Sequence, residues 1–163
     1  MKFIYFLAAS MLIFVSCEKE DTTDQNNNNN NNNNTPSFTC EIGGNDFTNN
    51  TPPTININES NMMSIDVSDG TYDISLRIYE FDTKTEGEVI YFSSPSMGSV
   101  TIGEVTYSST GFGSPPNYDG QLLFSKKESD KISGTFNFKA QNVAVGQWDE
   151  ITVKDGAFED IVY

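Results

Sequence analysis

Strict alternation of apolar and polar residues narrows the choice of fold more than any other feature of this 163-residue chain. Tyr72, Ile74, Leu76 and Ile78 alternate with Asp73, Ser75 and Arg77, and Ile132, Phe136, Phe138 and Ala140 with Ser133, Thr135, Asn137 and Lys139. A strand sends successive side chains to opposite faces, so each run has one face to bury and one to wet. No segment shows a convincing helical period. Shorter runs at 38–42, 54–58, 63–67, 88–92, 99–107, 122–124, 150–154 and 157–163 lie between clusters of Gly, Pro, Asn, Asp and Ser and are predicted as further strands. The expected fold is all-β: a single antiparallel β-sandwich, with a closed or partly open β-barrel as the alternative.

Two hairpins have a register that the sequence predicts. Asp69-Gly70 suits the positive φ angles of a two-residue type I′ turn, which sets Val67 opposite Tyr72, Ile65 opposite Ile74 and Met63 opposite Leu76. A turn through Ser129, Asp130 and Lys131 sets Leu122 opposite Phe138 and Phe124 opposite Phe136. Both registers place the apolar residues of the paired strands on one face.

The start of the chain reads as a leader. Lys2 precedes an apolar run over 3–15, then Ser16, a positive start followed by an apolar core and a small residue. Thirteen residues are too few for a helix crossing about 30 Å of hydrocarbon, which needs around twenty. Phe14-Val15-Ser16-Cys17 resembles the lipobox at which bacterial lipoproteins are cleaved and acylated, which implies residues 1–16 as a lipoprotein signal peptide and Cys17 as the lipidated residue. Two or three acyl chains, at about 0.8 kcal/mol per buried methylene, would hold the protein on a bilayer. Residues 18–36 contain no apolar side chain and include nine consecutive asparagines at 26–34. Together with Cys17 they are expected to be a disordered linker, 17–36, with a span of about 25 Å, leaving residues 37–163 as one domain.

Cleavage would remove Lys2 and no acid, moving the formal charge from −14 to −15. A chain this acidic, with Arg77 its only arginine, is not expected to bind nucleic acid or an anionic lipid surface through its domain. Once Cys17 is a thioether, Cys40 is the one remaining thiol, so neither an internal disulfide nor a disulfide-linked partner is expected. Cys40, set within an apolar alternation, reads as a small buried hydrophobe.

Three further resemblances extend this reading. The acidic stretch Cys17-Glu18-Lys19-Glu20-Asp21 is similar in composition to the sorting signal of Bacteroidota lipoproteins bound for the outer face of the outer membrane. Asp21-Thr22-Thr23 resembles the O-glycosylation signal of that phylum, which makes Thr22 a candidate acceptor. The run Ile132 to Ala140, followed by Ile151 to Phe158, and the triplet Gly70-Thr71-Tyr72, resemble small Bacteroidota cell-envelope lipoproteins whose β-rich domain has no assigned function. The resemblance implies the cell outer membrane as address, facing the exterior, with the periplasmic face as the alternative; it brings no catalytic residues.

The chain has no histidine, which removes Ser-His-Asp and Cys-His catalysis and nearly every zinc or copper site. No Gly-rich phosphate loop opens a helix. Asp149-Glu150, Glu159-Asp160 and the trio Asp66, Asp69 and Asp73 are carboxylate neighbours of a kind a glycosidase uses or calcium accepts, but twenty-three acids produce such neighbours without a function. No enzyme activity, cofactor or metal is expected. The longest break in the strand pattern, 108–118, contains Phe112 and Tyr118 among Gly, Ser and Pro; with Tyr107 and Trp148 these form a candidate stacking platform for sugar rings, against the plainer reading of a loop pinned to the core. The expected function is a non-catalytic binding or adhesion module for glycan or protein, with a structural envelope lipoprotein and a carboxylate-dependent hydrolase as alternatives.

Overall fold

The alternating runs become strands, and the predicted faces turn inward. The computed structural model describes residues 37–49, 51–110, 120–142, 144 and 149–163. These form β1 (Ser37–Ile42), β2 (Asn45–Asn49), β3 (Thr54–Ile57), β4 (Met63–Ser68), β5 (Tyr72–Ile78), a 3-10 turn (Phe81–Thr83), β6 (Val89–Tyr91), β7 (Met97–Ile102), β8 (Val105–Ser108), β9 (Gly120–Lys127), β10 (Lys131–Asn142) and β11 (Glu150–Val162). Ile74, Leu76 and Ile78 of β5, and Ile132, Phe136, Phe138 and Ala140 of β10, are all buried. The fold is all-β.

All strand pairs are antiparallel and join into one continuous sheet, curled into a half-barrel, so the partly open barrel describes the arrangement better than two separate sheets. The sheet forks at β10. One side of β10 pairs throughout with β11; the other pairs first with β9, from Ile132 to Phe138, and then with β8 at Gln141 and Asn142. The first branch continues to β6, the second through β7, β5 and β4 to β3. Both branches close on one core. Phe47 of β2 meets Tyr72 of β5 edge to face at 6.4 Å, and Phe158 lies among Phe38, Phe124 and Phe136 at 6.3–6.5 Å between ring centroids.

Several sequence expectations shift locally. β4 and β5 pair as Met63↔Ile78, Ile65↔Leu76 and Val67↔Ile74, two residues from the predicted register. The turn residues are Gly70 and Thr71, because Asp69 N–H donates to Tyr72 O and the Asp69 carboxylate accepts the Thr71 and Tyr72 amides at 2.8 Å. Gly70, at φ +87°, is then the first central residue of the turn, the position a type II′ turn reserves for glycine. A slip of two keeps every side chain on its face. The β9–β10 hairpin differs in the same way: Leu122 faces Phe136 and Phe124 faces Gly134, since Glu128 closes directly onto Lys131 and Ser125 is an extra residue on β9.

The run 99–107 is a hairpin, β7 and β8, turning at Gly103 (φ +60°). The predicted break between 154 and 157 is a bulge inside β11, with Asp155 at φ +52°. β2 escapes sequence recognition because Phe47 is its single apolar residue. Ser37 pairs with Glu159, so the chain enters the domain at the end that holds the β9–β10 turn and the C-terminus; the β1–β2, β4–β5 and β7–β8 turns lie at the opposite end.

Cys40 is buried at 6 % exposure, as expected of a small hydrophobe, and burial pushes its thiol from an ordinary 9.0 up to about 12. The folded state therefore favours the neutral thiol. That stabilisation is complete below pH 9 and is lost as the pH rises from about 9 to about 12, at up to about 1.4 kcal/mol per pH unit. Denaturant unfolding at pH 8 and pH 11 should show a larger alkaline loss for the natural protein than for Cys40→Ala. Equal losses would place the thiol in water.

Candidate functional site

The fork at β10 is where the chain between β8 and β9 and the chain between β10 and β11 leave and rejoin the sheet. Gly120 pairs with Phe138, Ser108 with Gln141 and Tyr107 with Asn142. The Asn142 N–H donates to Asp149 O at 2.9 Å. Both ends of the segment between β8 and β9, and both ends of the segment between β10 and β11, are therefore fastened to or beside the last five residues of β10. Antiparallel geometry produces this: β8 overlaps β10 by only two residues, so each chain leaves the ladder next to the other.

The anchors are well bonded. Ser109 and Gly98 exchange two hydrogen bonds, Ser109 N–H to Gly98 O and Gly98 N–H to Ser109 Oγ, both 2.9 Å. Ser108 Oγ accepts the Thr110 N–H at 3.2 Å, and Asn142 Oδ1 accepts the Ala144 N–H at 2.9 Å. Ser108 and Ser109 are buried, and each has a partner, as burial of a hydroxyl requires.

Of the four predicted platform residues, Tyr107 lies within the described structure; Phe112, Tyr118 and Trp148 lie outside the described residues, as do Cys17 and Thr22. Tyr107 rests its ring against the core and donates its hydroxyl to Asp149 Oδ2 at 2.9 Å. The hydrogen bond to the Asp149 carboxylate, followed by burial, pushes the Tyr107 phenol up. This pairing spans 42 positions and leaves no local trace in the sequence.

The carboxylate neighbours are separated by the same geometry. Asp149 is held by Tyr107, while Glu150 accepts from Lys139 and Gln141, and the Lys139 ammonium holds its carboxyl below the usual range. Asp160 is paired with Lys126 at 3.4 Å. Asp66 and Asp73 line a shallow hollow of about 330 Å³ with Thr54, Ser75, Ser99 and Thr101 on the outer face of β4, β5 and β7. Asp69 stands apart in its turn. No group of three or more acidic or sulfur ligands is placed to hold a metal ion among the described residues. No helix among them is long and apolar enough to cross a membrane.

Compared with protein-family models, with curated proteins and with solved structures, the chain finds no match in any of the three.

Proposed function

We propose that the protein is a lipoprotein of the bacterial cell outer membrane, anchored through acylated Cys17, facing the exterior, with a β domain that serves as a non-catalytic binding or adhesion module for glycan or protein. The observation that carries this reading is the gathering, on or beside the last five residues of β10, of the four points at which the chain between β8 and β9 and between β10 and β11 leaves and rejoins the sheet, since connections held on a strand scaffold are where binding commonly sits. The leader, the lipobox-like Phe14-Val15-Ser16-Cys17 and the polar stretch 18–36 supply a tether and a spacer. The absence of histidine, and the hydrogen-bonded state of Asp149 and Glu150, favour binding over chemistry.

Labelled palmitate should enter the natural protein and not Cys17→Ala, and protease applied to intact cells should remove the domain. Unlabelled protein would end the tether, and a protected domain would move it to the periplasmic face. A glycan array and a pull-down both returning nothing would end the binding reading.

A further inference from the structure

The outer face of β6, β9 and β10 presents an uncharged patch on a chain whose formal charge is −14. Tyr91 faces Gln121 across β6–β9, and Gln121 faces Asn137 across β9–β10, so the three side chains form one row. Val89, Leu123 and Thr135 form the next. Strands lie about 4.8 Å apart, so each row is about 10 Å long. None of the six side chains is charged.

Tyr91 is 67 % exposed, more than any other large apolar side chain among the described residues, and Gln121 and Asn137 are exposed beside it. Asn49, Asn58 and Asn61 each accept hydrogen bonds from amides of the chain. The Tyr91 hydroxyl and the Gln121 and Asn137 amides have no such bond among the described residues. The row is rigid from behind: Gly87 N–H donates to Phe124 O and Phe92 N–H to Gly120 O, clamping the three-residue strand β6 at both ends. Ile90, Leu122 and Phe136 fill the buried side.

We propose that this patch binds a neutral polysaccharide, with the Tyr91 ring stacked on a sugar and Gln121 and Asn137 bonding its hydroxyls. The inference rests on the binding-module reading and gives that module a site on the sheet face beside the β10 fork, one rung from the Gly120–Phe138 pair. A ring beside fixed amide donors and acceptors suits a ligand with apolar C–H faces and hydroxyl edges. Charge selects the occupant: none of the six side chains offers a cation to an acidic sugar, the neighbouring Lys139 on the same face of β10 is paired with Glu150, and the net acidic chain repels one.

The test is affinity electrophoresis of the full chain carrying Cys17→Ala through gels containing β-glucan, xylan, galactomannan or polygalacturonate. At least one neutral polymer should retard the protein and polygalacturonate should not. Tyr91→Ala should weaken retention about tenfold, Tyr91→Trp should keep it, and Gln121→Ala and Asn137→Ala should each weaken it, all with unchanged thermal unfolding. Retention unaffected by Tyr91→Ala, or no retention by any neutral polymer, overturns the site. If Phe112→Ala or Trp148→Ala abolishes retention instead, or a pull-down recovers a protein ligand, the module survives and this patch falls; if array, gel and pull-down are all blank, both fall.

Discussion

Phe158→Ala should lower the unfolding free energy by about 3–5 kcal/mol. Phe158 is fully buried on β11 and touches the rings of Phe38 on β1, Phe124 on β9 and Phe136 on β10. Its removal leaves a void bordered by four strands of a sheet whose backbone is fixed by hydrogen bonds on both sides, so the walls cannot follow it inward. Domains of this size are stable by about 5–15 kcal/mol, and the loss is therefore a large share of the whole. A guanidinium titration should show the midpoint falling steeply with little change in slope. A change under about 1 kcal/mol would mean that the rings do not meet.

Gly134→Ala should cost about 3 kcal/mol by the opposite fault, too many atoms in too little space. A Cβ at Gly134 would lie 2.5 Å from Leu123 O and 2.6 Å from Phe158 Cζ. The carbonyl belongs to the neighbouring strand and cannot swing aside. Because one of the two obstructions is the Phe158 ring, the double variant Gly134→Ala/Phe158→Ala should be less damaged than the two single losses added together, by about 1 kcal/mol. Strict additivity in the double-mutant cycle would remove this contact.

Period two was enough to name the class and most strands, because burial of one face is a local property that each strand's own residues report. Register was harder. Both predicted hairpins slipped by two, since an Asp69 that accepts amides inside its turn and a Ser125 that bulges out of β9 change the count without changing which residues face inward. β2 was invisible because a strand at a sheet edge can make do with Phe47 alone. The strand β11 looked like two because a bulge and a turn use the same Asp-Gly vocabulary. Sites fared worse for a related reason: Tyr107 finds Asp149, and Tyr91 lines up with Gln121 and Asn137, only through pairings between distant strands. A single sequence states which face each residue occupies far better than it states who stands next to it.

The way the chain enters the fold bears on mechanics. Ser37 begins β1, and β1 is hydrogen-bonded along its length to β2 on one side and to β11 on the other. A force applied through the preceding residues along the axis of β1 meets these two ladders in shear, with many bonds sharing the load at once, whereas a strand peeled sideways would give up its bonds in succession. Entry through an interior strand makes the point of attachment one of the more tear-resistant places in the sheet.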